Sequence, residues 1–160
     1  MTTRPGGWPF TLPCVEGLEL TLADLHRGEL GRLPVAAIAV RGKELQLDDT
    51  VASAHRLFTR RAVKIVPVLD GDRYIGAVDR DLLAEAPSED TPVRIIAEGL
   101  LPLVIATMPA RDALDVLDAH GGTRLVVLGE DAATYVGLVC LRGDRERLCV
   151  DAGVARGTGR

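Results

Sequence analysis

At 160 residues, with 47% apolar and 26% charged side chains, the chain is about one average domain long and can bury a real core, which excludes two large independent domains and a mainly disordered chain. Aromatic residues make up only 3%, so that core is aliphatic. The 19 basic and 23 acidic side chains leave a formal net charge of −4, which argues against a general affinity for nucleic acid or anionic lipid; any anionic ligand must be met by local basic groups.

The first residues carry Pro5, Gly6, Gly7 and Pro9 where a secretory leader needs an unbroken apolar stretch, so no leader is expected. Segment 1–20 reads as a tail, or as an arm that Trp8 and Phe10 anchor on the core or on a sister chain. A short helical turn is expected at 34–38 and a first strand at 44–47. Val51, Ala54, Leu57 and Phe58 then fall on one helical stripe, with Asp49 or Thr50 as its cap. An apolar strand at 65–69, turn chemistry at Asp70-Gly71-Asp72 and a strand at 73–78 make a hairpin. Helical propensity resumes at 79–85, with Asp79 and Asp81 in the first turn, where the helix dipole favours negative charge.

The same grammar returns downstream: a helical turn at 92–96, a strand at 103–106, a helix from 110 that Gly121-Gly122 ends in a left-handed cap, and strands at 124–128 and 134–139. Ala54 and Ala113, Phe58 and Leu117, and Val66 and Leu125 are each 59 positions apart, whereas Gly76 and Gly137 are 61 apart because the second hairpin turn is longer. The duplicated unit runs over about 34–86 and 92–148. The longest uncharged stretch, 99–110, is about half a membrane span and holds Pro102 and Pro109, so a soluble, cytoplasmic protein is expected, with no membrane partner. Segment 151–160, with Gly153, Gly157 and Gly159, reads as a disordered tail.

The run 50–83, with Val66-Pro67-Val68, its hairpin and the stretch from Tyr74 to Leu83, resembles a cystathionine-beta-synthase (CBS) domain, and its duplication resembles the CBS pair. The resemblance implies an α/β (α+β) fold of two βαββα repeats packed with pseudo-twofold symmetry, the first with its lead-in over 21–86 and the second over 92–150. It also implies a homodimer that binds an adenosyl nucleotide or nucleoside between the repeats and acts on a separate effector protein.

In that family the ribose is met by a Gly-x-x-Ser/Thr-x-x-Asp pattern, in which an acceptor-only carboxylate suits a diol. Counting from Gly76 places Asp79 at the hydroxyl position and Leu82 at the carboxylate position, with Asp81 one residue early. Asp81 is thus a ribose candidate if the pattern is one residue shorter; otherwise both carboxylates stabilise the helix start. From Gly137 the count gives Cys140 and Gly143, with Asp144 one residue late, so this second half-site reads as degenerate. The resemblance makes Lys64 and Arg124 phosphate candidates, while Arg56, Arg60 and Arg61 read as a solvated face. Val66, Pro67, Val126 and Val127 are candidate walls for an adenine, or simply sheet core.

A catalytic reading has little support. Ser53 and His55 are two apart and point to different helix faces, and His26, His55 and His120 lack metal-ligand spacing, so no catalytic residue, metal or cofactor is expected. The three cysteines, Cys14, Cys140 and Cys149, read as small buried hydrophobes or free thiols. No recognition helix for DNA is evident. Two functions stay open: a regulatory module sensing AMP, ATP, adenosine or S-adenosylmethionine, and a ligand-free interaction module that keeps the fold.

Overall fold

The computed structural model describes residues 25–148; the arm at 1–20, the tail at 151–160, and Cys14 and Cys149 lie outside the described residues. In chain order the elements are β1 (Leu45–Gln46), α1 (Val51–Leu57), β2 (Ile65–Asp70), β3 (Arg73–Asp79), α2 (Arg80–Ala84), α3 (Val93–Ile96), β4 (Leu103–Ile105), α4 (Ala110–His120), β5 (Arg124–Leu128) and β6 (Tyr135–Cys140), with 3-10 turns at Arg27–Glu29 and Val35–Ile38. The strands form two three-stranded sheets, β1-β2-β3 and β4-β5-β6. In each, the first strand runs parallel and the third antiparallel to the middle one. The duplication legible in the sequence is therefore a duplication of structure.

Local chemistry explains where the elements begin and end. Thr50 caps α1: its Oγ1 accepts the Ser53 N–H at 3.2 Å, satisfying a donor the helix itself cannot. Asp49 instead accepts the Gln46 N–H at 2.8 Å and closes the turn after β1. The β2–β3 hairpin turns on Gly71, at a φ of +64°, and the Gln46 side chain clamps it by accepting the Gly71 N–H and donating to the Gly71 carbonyl. Gly121, left-handed at a φ of +91°, ends α4 and donates to the Leu117 carbonyl at 3.0 Å, as the Gly-Gly pair leads one to expect.

Alternation along the middle strands sorts their side chains to two faces. Val66 and Val68 pack with Val51, Ala54 and Phe58 in the core of the first unit, and Leu125 and Val127 pack with Ala113, Leu114 and Leu117 in the core of the second. Val126 and Leu128 turn the other way and meet Leu69 and Tyr135 between the sheets. Val66, Val68, Leu125 and Val127 are fully buried, each contributing about 1.5–3 kcal/mol relative to exposure.

The lead-in of each unit packs on the other unit. Val35 and Ile38 belong to the second core, and Val93 to the first. The backbone repeats this exchange: the N–H of Val35 donates to Met108 and that of Ala110 to Leu33, just as Val93 donates to Asp49 and Val51 to Thr91. Near the pseudo-twofold axis, Tyr74 donates its N–H to Ala133 and Tyr135 donates its own to Asp72, and the two tyrosine rings stack at 6.2 Å. Neither core is complete without a segment of the other repeat, so the two units are built to fold as one cooperative body.

The units diverge at their close. After β3 the chain enters α2, but after β6 it makes a turn bridged between Leu141 and Leu148. Asp144 Oδ1 accepts the N–H groups of Glu146 and Arg147, Arg145 adopts a φ of +61°, and its guanidinium bonds Asp118 on α4. A carboxylate that folds back on its own backbone favours a turn over a helix here. Cys140 is buried and engaged in a disulfide, which corrects its reading as an unpaired cysteine; an odd cysteine count does not exclude a single pair. No helix among the described residues is long and apolar enough to cross a membrane.

Candidate functional site

The exchange of lead-in segments leaves a cleft beside the point where the first of them crosses. Val40, beyond the 3-10 turn at Val35–Ile38, exchanges both backbone hydrogen bonds with Leu138 of β6, each at 2.9 Å; Glu98, beyond α3, does the same with Ala77 of β3, again at 2.9 Å. Each lead-in thus runs as a short extra strand along the edge of the other unit's sheet. From Val40 the chain continues through Gly42 and Lys43, which form one wall of a small, open cleft. Val63 and Ile65 form the second wall, ahead of and at the start of β2, and Arg124, Leu138 and Cys140 the third.

Two cations give this cleft its character. Lys43 and Arg124 are both half-buried and both line it. Each charge-assisted hydrogen bond such a group makes to an anion contributes on the order of 1.5–3 kcal/mol. The segment bearing Lys43 is held in place by its neighbour: Arg41 donates from Nε and Nη2 to the Glu44 carboxylate at 2.8 and 2.6 Å and lies over the Tyr135 ring, 5.0 Å from its centroid. The bond to Glu44 raises the already high guanidinium pKa, so Arg41 stays charged. The remaining walls are apolar, and at the Cys140 position a disulfide sulfur has no S–H to donate.

Of the residues singled out from the sequence, Arg124 and Cys140 line this cleft. Lys64 is exposed, one residue outside the wall formed by Ile65. Val66 and Val127 face the helices in the two cores, Val126 lies between the sheets, and Pro67 is buried in β2 opposite Ala77. Asp79 caps α2, its Oδ1 accepting the Leu82 N–H at 2.9 Å, and Asp81 sits exposed in the first turn of that helix. Both carboxylates are thus found at the helix start. Ser53 and His55 are also separated: Ser53 Oγ bonds Thr50 and Arg56, while His55 faces Glu89.

Sequence reasoning missed Val40, Gly42, Lys43, Val63 and Leu138. The repeat itself held the signal for the lead-in: Pro34 and Pro92 head matching turns, so the residues following each turn are equivalent and flank equivalent sheet edges. That these segments cross to the opposite unit is a tertiary fact that no local spacing encodes.

No protein-family model matches the sequence, and no curated protein is similar to it. Solved structures are similar. The cystathionine beta-synthase pair domain of a protein of Shewanella oneidensis MR-1 superposes with a TM-score of 0.61 at 21% identity, over 72% of this chain and 72% of that one. The CBS domain of a bacterial CNNM/CorC family Mg2+ transporter, in complex with ATP, gives 0.56 at 25% identity, over 70% and 84%. A protein named CBSX2, in complex with AMP, gives 0.58 at 18% identity, over 71% and 93%.

Proposed function

Because the chain has the fold of a CBS-domain pair, we propose that it is a regulatory module that binds an adenosyl ligand in the cleft between its repeats and passes that state to a separate effector protein, without catalysis of its own. The observation that carries this reading is that Lys43 and Arg124 both line one cleft whose other side chains are apolar. Apolar walls suit a base, and paired cations compensate a phosphate that leaves water. The ATP and AMP held by two of the similar structures support the same ligand class. Exposed Ile75, Ile95 and Leu103 leave apolar surface for a second copy or an effector, and we propose a homodimer.

A second reading, a ligand-free interaction module, is favoured by one specific observation. The second motif offers no side chain at Gly143, and the Asp144 carboxylate is committed to the N–H groups of Glu146 and Arg147.

A thermal-shift panel of adenosine, AMP, ADP, ATP, NAD and S-adenosylmethionine separates the two. A ligand at 100 times its dissociation constant stabilises the fold by about 2.7 kcal/mol. The sensor reading expects at least one adenosyl compound to raise the melting temperature. A panel without any shift at millimolar ligand supports the interaction module instead.

A further inference from the structure

The turn between α1 and β2 concentrates positive charge in a chain whose net charge is −4: Arg56, Arg60, Arg61 and Lys64 follow one another with no Asp or Glu from residue 56 to residue 69. All four are exposed. Arg80, also exposed, reaches back to the same turn from the start of α2. Its Nη2 donates to the carbonyls of Arg60 and Val63, each at 3.1 Å, and its guanidinium lies over the Phe58 ring, 5.3 Å from the centroid. These bonds fix the turn and leave the charge of Arg80 in place, because a carbonyl is a neutral acceptor. Arg56 likewise bonds a neutral group, Ser53 Oγ, at 3.0 Å. Among the described residues no ion pair reaches any of these cations, whereas Arg27, Arg41, Arg94 and Arg145 each hold a carboxylate. The carboxylates at the border are turned to other work or lie open: Asp79 caps α2, Glu89 faces His55, and Asp81 is exposed in the first turn of α2. The dipole of α1 accounts for a cation at Arg56, in its last turn, but not for a run that continues past the helix end to Lys64.

Resting on the reading above only for the existence of an effector, we propose that this turn is the docking surface for an acidic segment of that effector, a short stretch of Asp and Glu side chains. Guanidinium forks match carboxylates in bidentate pairs, and the turn presents them on a backbone that Arg80 holds fixed. A second copy of the chain is the poorer occupant, since a twofold contact here would set like charges against each other. A nucleic acid or an anionic membrane is poorer too: it extends beyond the turn and meets the acidic surplus of the whole chain, with Asp79 and Asp81 at the border. A short acidic segment covers the basic turn alone. The same turn reaches the cleft, because Val63 and Ile65 line it and flank Lys64. A partner seated on Arg60, Arg61 and Lys64 therefore holds the segment that walls the cleft.

Fluorescence anisotropy of a labelled oligo-glutamate peptide, titrated with the full chain at low salt and without nucleotide, tests this. The expected result is saturable binding that added salt weakens and that Arg61→Glu with Lys64→Glu reduces at least about fivefold. The same charge change at exposed Arg111 and Arg142, as Arg111→Glu with Arg142→Glu, should leave it nearly unmoved. Arg61 and Lys64 stand outside the helices and strands, and Arg61→Gln serves as the milder variant if the double reversal fails to fold. No peptide binding, an equal loss in the two double variants, or tighter binding of duplex DNA or phosphatidylserine vesicles than of the peptide overturns the docking surface. Peptide binding as expected, with no adenosyl compound shifting the melting temperature, overturns the sensor reading alone. A thermal shift without peptide binding overturns the docking surface alone.

Discussion

Gly137 lies so close to Val40 that a Cβ built on it would stand 2.8 Å from the Val40 carbonyl oxygen and 3.1 Å from its nitrogen. The contact is backbone against backbone, so it cannot be relieved by rotating a side chain. Gly137→Ala must push the lead-in away from β6 and loosen the wall that carries Lys43. The expected cost is about 1–3 kcal/mol, in the range of other overpacked sites. Chemical denaturation measures it, with Gly99→Ala as the control: a Cβ there meets nothing within 4 Å, and stability should hold or rise slightly.

Asp79 is read as a helix cap, and the substitutions that separate a cap from a ribose ligand are available. Asp79→Ala should lower stability by about 1 kcal/mol, and Asp79→Asn, whose side-chain oxygen still accepts the Leu82 N–H, should restore most of it. AMP affinity should be indifferent to both. A drop in affinity with Asp79→Asn, at unchanged stability, would restore the carboxylate to the ligand.

Asp118 joins Arg27, from the start of the described chain, and Arg145, from the turn after β6, with N–O distances of 2.9 and 2.8 Å. Its hydrogen bonds from Arg27 and then Arg145 hold the carboxyl below the usual range. A depressed carboxyl stabilises the fold above its unfolded pKa, near 3.9, and that contribution is lost as pH falls through the folded value. Because the site is largely exposed, Asp118→Asn should cost no more than about 1 kcal/mol at pH 7 and low salt. The difference from the unsubstituted protein should shrink as pH falls below about 3.9 and through the lower folded value; equal melting temperatures at pH 7 would remove the ion-pair cluster from the account.

Tyr74 Oη is buried without a hydrogen-bond partner, and burial pushes its phenol up to about 12. Below pH 10 the phenol is neutral both folded and unfolded, so it adds no pH dependence. Between pH 10 and 12 only the unfolded chain releases the proton, and stability falls. Tyr74→Phe should therefore be neutral or stabilising at pH 7 and should flatten the alkaline decline, which denaturation series at pH 8, 10 and 11 would show. A clear destabilisation at pH 7 would mean that the hydroxyl has a partner.

The repeat, the two hairpins and the burial of Val66, Val68, Leu125 and Val127 were legible because local periodicity and turn chemistry dictate them. Asp49 and Thr50 were both reasonable caps for α1; the structure uses Thr50 for the helix and Asp49 for the preceding turn. The site was less legible. A motif count from Gly76 led to Asp79 and Asp81, yet the cleft lies beside Cys140, where the count from Gly137 looked decayed. Lys43 carried no local signal, since only the crossing of the lead-in to the other unit brings it to the cleft that Arg124 also lines. The turn after β6 was hidden for a similar reason: its stability depends on Arg145 reaching Asp118, 27 residues away in sequence.

Backbone amide chemical-shift mapping during an AMP titration tests the central claim most directly, because it reports where on the chain a ligand lands. The account predicts perturbations concentrated at Gly42, Lys43, Ile65, Arg124, Leu138 and Cys140, with Ala77, Asp79, Asp81 and Glu98 largely unmoved. Perturbations centred on Gly76 to Asp81 and on Glu98, with Lys43 and Arg124 unmoved, would contradict it.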